Sequence, residues 1–438
     1  MHADARAGAE TPPPVCVELP QPENSITEEL DKGLFRTRLA SGAEVWTERM
    51  ESMRSAAVGF WFRSGSAHEP SDMLGSAHML EHMVFKGTGR RTAHQIASDI
   101  EDLGGSLDAY TSHEHTAFLG RVPDTHITTI VDVLSDLAFH PKLDPADLAL
   151  EREVVLEEIA RSEDTPDDLV FDLHAEFLYA GHVYGRPILG NRESVSEMDV
   201  DALRGLHGKT CHPSNLVVAA AGRLEHEEFL EQVVERLPGG VEPAGDSIEA
   251  PVNLGSGLLR VSRPSGRQSH IVAGGAGVPA GDPLRHAVIL VGTALGGGMG
   301  SRLFQRIREE MGLAYAVYEF RAFYLRAGHI GAYVGTRPET ADRAREALMA
   351  ELRKLADEGL TTEELETTRT QLKGQVVLSL ESPGSRMYRL ASLALAGEPY
   401  RSLDQVMDLI DGVTESDASQ AASLYDPDGL AVLELSPA

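Results

Sequence analysis

Short runs of alternating apolar and polar positions predict several β-strands in the first half of the chain. Period-two alternation places successive side chains on opposite faces of a sheet, and small polar residues between two such runs mark turns. Ser41 and Gly42 divide one region in this way, which indicates a hairpin. The predicted strands lie in the hairpin at residues 34–50 and at residues 55–62, 106–111, 115–122 and 215–222.

Longer stretches have apolar residues three or four positions apart, the spacing that gives a helix one buried face. The clearest begins at Asp144, which supplies an N-cap, with Pro145 in the first turn. The predicted helices lie at residues 75–86, 92–103, 125–137, 144–161, 167–179 and 226–237. This mixture of strands and helices indicates an α+β fold.

The order of elements repeats in the second half of the chain. Residues 143–159 align with residues 360–376, because both segments are capped helices with the same apolar phase. We therefore predict two similar tandem α+β domains, related by internal duplication, each a mainly antiparallel sheet covered by helices. Proline, glycine and acidic residues mark a linker between them. The predicted divisions are a flexible tail at residues 1–28, an N-terminal domain at 29–236, the linker at 237–252 and a C-terminal domain at 253–438.

Length and composition limit the classes of protein to which this chain can belong. The 438 residues are enough for two domains. The 68 acidic residues against 39 basic ones give a formal charge of −29, which argues against nucleic acid and favours cationic ligands, or simply reflects solubility. No apolar run is long enough for a membrane span. With two cysteines and no secretory-signal layout, we expect a cytoplasmic protein.

Residues 75–88, GSAHMLEHMVFKGT, contain two histidines and a glutamate within five positions. Because residues four apart lie on the same face of a helix, His78 and His82 can direct both imidazoles at one metal ion. Glu81 lies beside them and suits a general base. The alternative is a helix with solvent-facing polar residues. Apolar neighbours make unpaired charge costly in this stretch, however, and a bound metal removes that cost.

Zinc held by two histidines needs a third protein ligand and keeps a fourth position open. The acidic helix at residues 144–161 offers four candidates, Glu151, Glu153, Glu157 and Glu158. Glu151 and Glu158 are two turns apart and share one face, whereas Glu153 and Glu157 share a different face that we expect to be solvated. In the aligned second half, threonine and glutamine replace the first pair, so we expect only the first half to hold the metal.

The H-x-x-E-H motif, the distant glutamate helix and the segment RLFQRIREEMGLAYAVYEF together resemble the family of pitrilysin, insulinase and the mitochondrial processing peptidase, the inverted zincins. The resemblance covers nearly the whole chain, with its best match to the short bacterial members. It implies one zinc ion per chain, bound by His78, His82 and Glu158. It also implies that Glu151 supports a ligand and that Glu81 is the base.

The family uses an arginine and a tyrosine from its C-terminal half to hold the substrate carbonyl and the developing oxyanion. The matching residues in this sequence are Arg308 and Tyr315. A single two-domain chain corresponds to half of the family's closed clamshell. The resemblance therefore implies a homodimer in which this pair reaches the zinc of the other subunit. A heterodimer with a paralogous chain is the alternative, although a specialised half would be expected to lack either the zinc motif or the pair.

Two groups of residues resemble substrate-binding positions of the family. Asp108, Ala109 and Thr111 lie in a predicted edge strand that would pair with an extended peptide. The family usually has asparagine where this chain has Asp108, a departure that favours a basic substrate residue. Asp168 and Asp172 match the place where the mitochondrial enzymes hold an arginine, and an exposed acidic helix face is the alternative.

The resemblance thus implies a zinc-dependent endopeptidase that hydrolyses unfolded peptides or leader segments in a dimeric chamber. The alternative is a non-catalytic scaffold or binding subunit, since some members of the family have lost the metal. Every residue that such a loss would remove is present here. Two weaker patterns, His113 with His115 and the glycines at 296–298, lack the further residues of a metal site or a phosphate loop, and we interpret them as structural.

Overall fold

Two β-sheets with helices packed on them make up the computed structural model of the chain. The described residues are 25–239, 248–264 and 266–438. Residues 1–24 of the predicted tail and 240–247 of the predicted linker lie outside them. Residues 26–28 belong to the first strand, so the predicted tail is too long at its C-terminal end. The side chains of this strand are mostly exposed, which leaves no apolar periodicity to detect.

The first sheet comes from the first half of the chain. Within the described residues its strands are β1 (Ile26–Asp31), β2 (Leu34–Arg38), β3 (Glu44–Arg49), β4 (Ser55–Phe62), β5 (Ser106–Thr111), β6 (Thr116–Pro123) and β7 (Leu216–Gly222). Their spatial order is β1-β2-β3-β7-β4-β6-β5, and the neighbours are antiparallel except for β3 and β7. The predicted hairpin and strands are confirmed, with β4 central and β5 at an edge.

The helices of the first half follow the predicted set, with two additions. They are α1 (Ser76–Val84), α2 (Ala93–Glu101), α3 (Ile127–Phe139), α4 (Pro145–Glu163), α5 (Pro166–Leu178), α6 (Arg192–Glu197), α7 (Val200–Thr210) and α8 (His226–Val234). Asp144 caps α4 as predicted, because its carboxylate accepts a hydrogen bond from the Ala146 amide at 2.8 Å. The predicted set lacks α6 and α7, since the first is too short to show a helical period and the second contains two glycines.

The second half repeats the plan with a smaller sheet. Its described strands are β8 (Gly257–Arg263), β9 (Ser269–Gly277), β10 (Ala314–Phe323), β11 (Gly328–Thr336) and β12 (Ala431–Pro437), in the order β10-β11-β9-β12-β8. Its helices are α9 (Arg285–Gly296), α10 (Ala341–Glu358), α11 (Thr362–Ser379), α12 (Pro383–Ala396), α13 (Leu403–Asp411) and α14 (Glu415–Ser423). Pairing is antiparallel except between β8 and β12. The predicted fold class, two tandem α+β domains with mainly antiparallel sheets, is confirmed.

The aligned helices of the two halves occupy matching places in the chain. Both α4 and α11 are capped at the residue before their first turn, and each is followed by a helix that begins with proline, α5 and α12. These following helices are exchanged between the halves. Helix α5 packs on β9 and β12 of the second sheet, whereas α12 packs on β3, β4 and β7 of the first. The two halves are therefore interlocked through their packing.

Alternation along the central strand β4 gives the first sheet two apolar faces. Val58 and Phe60 belong to the core shared with the helices of the first half. Trp61, on the opposite face, packs with Leu390 and Ala391 of α12. Both faces are buried, so the strand reads as a continuous apolar run. In the described part of the chain, none of the helices has both the length and the apolar character needed to cross a bilayer.

Two buried histidines, His174 and His329, and the partly buried His113 join elements of the two halves. His174 Nε2 donates to the carbonyl of Ala431 at 2.9 Å, which leaves its Nδ1 to accept from His329 Nε2 at 3.1 Å. His113, in the turn between β5 and β6, contacts Ser66 through its Nδ1 at 3.0 Å. Burial lowers the pKa of His113 and of His174 to about 4 and that of His329 to about 3. All three imidazoles are therefore neutral at pH 7.

These histidines predict a loss of stability in acid. An unfolded histidine titrates near pH 6.5, so below that pH the unfolded chain binds protons that the folded chain excludes. The free energy of unfolding should be unaffected by these groups above about pH 6.5. It should then fall by up to about 1.4 kcal/mol per pH unit per histidine toward pH 4. Urea unfolding at pH 7 and pH 5 measures this, and His329→Gln, which keeps a donor toward His174, should reduce the difference. An unchanged difference in that variant would contradict the assignment.

Candidate metal centre

The start of α1 is fixed by a buried carboxylate and by a glycine that lies against the backbone of Leu189. The two Glu69 oxygens accept hydrogen bonds from the Gly75 and Ala77 amides at 2.8 and 2.7 Å, which satisfies free donors of the helix terminus. Gly75 has φ +85°, and a Cβ there would lie 2.5 Å from the carbonyl oxygen of Leu189. These contacts fix where the helix begins. The buried residues Met79 and Met83 then hold its apolar face in the core.

The two histidines of α1 and one glutamate of α4 converge on one point. His78 Nε2 and His82 Nε2 each lie 3.6 Å from Glu158 Oε2. The imidazole ring centroids are 4.6 Å apart, and one ligand atom from each of the three residues lies within 4.8 Å of the others. Residue spacing on α1 and the packing of α1 against α4 produce this arrangement.

The four glutamates considered for the third ligand lie in pairs on two faces of α4. Glu151 is buried, and Glu158 is partly exposed beside the histidines. Glu153 and Glu157 are exposed on another face of α4. The face-sharing expected from helical spacing is therefore observed. What selects Glu158 over Glu151 is the convergence of its oxygen with both Nε2 atoms.

The donor set fits zinc. Two imidazole nitrogens and one carboxylate oxygen are the ligands of open zinc sites, in which the fourth position is left for water or substrate. Burial, followed by the neighbouring His82, lowers the pKa of His78 to about 4, so its imidazole is neutral and has a lone pair to donate at pH 7. His82 Nδ1 donates to Glu151 Oε2 at 3.1 Å, which leaves its Nε2 lone pair facing Glu158.

Glu81 lies next to this group on α1. Its Oε2 accepts a hydrogen bond from Thr111 Oγ1 of β5 at 2.6 Å. Burial raises the pKa of Glu81, and the neighbouring carboxylates of Glu158 and Asp108 act in the same direction. A carboxylate with a raised pKa is better matched to proton transfer near neutral pH than an ordinary surface glutamate.

Strand β5 is an edge of the first sheet and packs beside α1. Alternation puts Ala109 and Thr111 on the face toward α1, where Thr111 contacts Glu81. Asp108 lies on the opposite face, the side on which Tyr110 stacks on Tyr388 of α12. The predicted edge strand is confirmed, and its side chains divide between two faces.

Arg308 and Tyr315 are in contact with each other in the second half. Arg308 lies in a π-helical segment, Phe304–Glu310, a conformation that recurs at functional sites. Its guanidinium donates to the carbonyl of Tyr315 at 2.7 Å and lies 4.5 Å from the centroid of the Tyr315 ring. The Tyr315 side chain is 77% exposed. Tyr315 is therefore not a core residue, although the Arg308 guanidinium holds it in place. Its exposure leaves the pair accessible to a ligand.

Asp168 and Asp172 lie one turn apart on α5, and both are exposed. The surrounding protein, together with the neighbouring Asp168 carboxylate, raises the pKa of Asp172 to about 6 although the side chain is open to solvent.

Reasoning from the sequence misses Glu69 and Lys86, and it misses the contact of Thr111 with Glu81. Glu69 caps α1, Thr111 donates to Glu81, and Lys86 Nζ lies 2.5 Å from Glu151 Oε1. Thr111 is predicted as a substrate-binding residue of the edge strand, but not as a partner of Glu81. Lys86 follows His82 by four residues, and this spacing marks it as a neighbour of His82, but its contact with Glu151 depends on the packing of α1 on α4.

Two imidazoles on one helix, a carboxylate from a second helix and a partly buried glutamate beside them define the class of site found in zinc peptidases with an H-x-x-E-H motif. Residues 44–192 match the family described as "Insulinase (Peptidase family M16)", and residues 197–372 match "Peptidase M16 inactive domain". The chain belongs to peptidase family M16, which confirms the resemblance noted in the sequence.

Relatives of similar length carry zinc-protease names. An "uncharacterized zinc protease" of Streptomyces coelicolor is 36% identical over 88% of this chain and 86% of that protein. The "uncharacterized zinc protease YmxG" of Bacillus subtilis is 35% identical over 85% and 91%. A crystal structure of a peptidase M16 inactive domain from Pseudomonas fluorescens is 22% identical, with a TM-score of 0.85 over 95% of this chain and 98% of that one. A protease from Helicobacter pylori gives 0.83 at 20% identity over 92% and 99%. These two structures support the fold.

Proposed function

We propose that the protein is a zinc-dependent endopeptidase that hydrolyses unfolded peptides or leader segments within a dimeric chamber. The observation that carries this proposal is the convergence of His78, His82 and Glu158, with Glu81 beside them and an open strand edge alongside. The zinc-protease names of relatives that cover most of the chain support it.

The chain's own residues account for the steps of hydrolysis. His78, His82 and Glu158 would hold one zinc ion, which when bound supplies Lewis-acid activation of water and of the scissile carbonyl. Glu81 accepts the proton of the attacking water and passes it to the leaving amine. Thr111 holds the Glu81 carboxylate by its hydrogen bond, so that the second oxygen is free for this transfer.

The edge strand and the acidic helix support a peptide substrate. The free edge of β5 offers backbone donors and acceptors to an extended chain, which would lie beside Glu81. Asp168 and Asp172 offer two adjacent carboxylates to a basic side chain. A bound cation would favour the charged form of Asp172, whose pKa is raised without it. Asp108 would add negative charge on the face of β5 that is turned away from α1.

Arg308 and Tyr315 support a site completed by a second subunit. Both residues lie in the half without the zinc motif, and their contacts described above are with neighbours in that half. In a symmetric dimer the pair of one subunit would face the zinc ligands of the other and hold the substrate carbonyl and oxyanion. We expect a homodimer, since one chain carries both parts. A cytoplasmic setting remains our expectation, from the cysteine content.

The test of this proposal is metal-dependent cleavage of a mixed peptide library. The full chain, loaded with one zinc equivalent, should cut unfolded peptides, and mass spectrometry should locate the cut positions. Treatment with a chelator should reduce cleavage to background, and zinc, but not magnesium, should restore it, because the donor set contains two imidazoles. Cleavage that persists in metal-free protein would refute the proposal. Stoichiometric zinc binding without any cleavage would favour the non-catalytic binding subunit.

A further inference from the structure

The carboxylate of Glu151 is shared by two groups from α1 and the residues that follow it. Glu151 Oε2 accepts a hydrogen bond from His82 Nδ1 at 3.1 Å, and Oε1 lies 2.5 Å from Lys86 Nζ. Lys86 follows His82 by four residues and lies in the turn just after α1, and both side chains reach the same carboxylate. The family resemblance implies a supporting role for Glu151 and gives none to Lys86.

Burial makes the lysine important to this carboxylate. Only 8% of the Glu151 side chain is exposed, compared with 34% of the Lys86 side chain. A buried carboxylate without a cation is costly, and removing one partner of a buried ion pair is more damaging than removing both. Lys86 supplies the cation at contact distance. Its stem is long enough to remain partly in solvent while its ammonium neutralises the buried acid.

The two imidazoles of the site differ in what orients them. His78 Nδ1 is buried and has no hydrogen-bond partner among the described residues, so packing alone fixes that ring. His82 Nδ1 donates to Glu151, and this fixes both the ring orientation and the nitrogen that keeps its lone pair. The geometry of His82 therefore depends on where the Glu151 carboxylate lies.

We propose that Lys86 is a positioning residue of the metal site, which fixes the Glu151 carboxylate and through it orients His82 toward the ion. This inference rests on the proposed zinc site and adds a residue to it. Lys86 holds the Glu151 oxygen that faces away from His82. The other oxygen is left in place to accept from Nδ1. The effect acts on metal affinity before any substrate binds.

The first measurement is zinc affinity of the full chain, by competition with a chromogenic chelator. Lys86→Met keeps the stem and removes the charge, and it should weaken zinc binding by about 10–100-fold, the range for partners of metal ligands. Lys86→Arg should restore most of the affinity. The matched control is Lys373→Met. Lys373 is also 34% exposed and lies 2.7 Å from a carboxylate, but that carboxylate, of Asp411, is 51% exposed. The zinc affinity of Lys373→Met should equal that of the wild type.

A double-mutant cycle separates this role from a general effect on folding. In the Glu151→Gln background the buried charge is gone, so adding Lys86→Met should change zinc affinity by less than about twofold. This arm remains measurable if Lys86→Met alone fails to fold. The proposal would be overturned if the zinc affinity of Lys86→Met is within about twofold of wild type. It would also be overturned if the fold-losses of zinc affinity in Lys86→Met and Glu151→Gln multiply in the double variant, because the two residues would then act independently. A wild-type chain that binds no zinc would instead refute the proposed function, and this inference with it.

Discussion

Replacing Glu81 by glutamine should lower peptide hydrolysis by about 10²–10⁴-fold, the usual contribution of general acid–base catalysis. Glutamine has nearly the same shape and can still accept the Thr111 hydrogen bond through its amide oxygen. It cannot take a proton from water at neutral pH. Zinc content should be unchanged, because Glu81 does not belong to the converging donor group. Turnover of a quenched peptide and zinc stoichiometry, measured on the same preparation, check both parts.

The matched control for this variant is Glu157→Gln. Glu157 has the same chemistry on the exposed face of α4, away from the converging donors. Its loss should leave both turnover and zinc content unchanged. Undiminished turnover in Glu81→Gln would reject the role of Glu81 as the base. Loss of zinc in that variant would show that Glu81 helps to hold the metal.

Local sequence signals predict the elements of the first half well. The cap and first-turn proline of α4, the alternation of β2 and β3, and the apolar run of β4 each specify structure within a few residues. The strand β1 escapes this reasoning, because an exposed edge strand has no buried face to impose a pattern. The exchange of α5 and α12 escapes it as well. A local apolar period shows that a helix has a partner, but not which sheet supplies it.

The metal site is predictable to the extent that helical spacing determines it. His78 and His82 share a face because they are four residues apart, and Glu151 and Glu158 share a face because they are seven apart. Spacing leaves the choice between the two glutamates open. The resemblance to the family selects Glu158, and the tertiary packing of α1 on α4 brings its oxygen to the imidazoles. The contacts of Lys86 with Glu151 and of Thr111 with Glu81 depend on that packing, so a pattern along the chain does not reveal them.

The shared site can be tested with two variants that are each inactive. Arg308→Ala should lower turnover by about 10²–10³-fold, as expected for loss of a group that stabilises an oxyanion. The Glu81→Gln variant is inactive for a different reason, in the other half of the chain. In a mixed dimer, one of the two sites combines an intact Glu81 with an intact Arg308 from the partner subunit. Random exchange at equal concentrations should therefore restore about a quarter of wild-type activity.

The control for this mixing experiment pairs two lesions in the same half. Glu81→Gln mixed with Glu158→Gln should give no recovery, because neither site of a mixed dimer then has a complete set of zinc-half residues. If each chain instead completes its own site, no mixture of inactive variants should recover activity. Recovery in the mixture of Glu81→Gln with Arg308→Ala, but not in the control mixture, would therefore identify a site shared between subunits. If activity does not recover although differently labelled chains demonstrate subunit exchange, Arg308 lies outside the partner's site. The second subunit would then only enclose the chamber and would contribute no residue to catalysis.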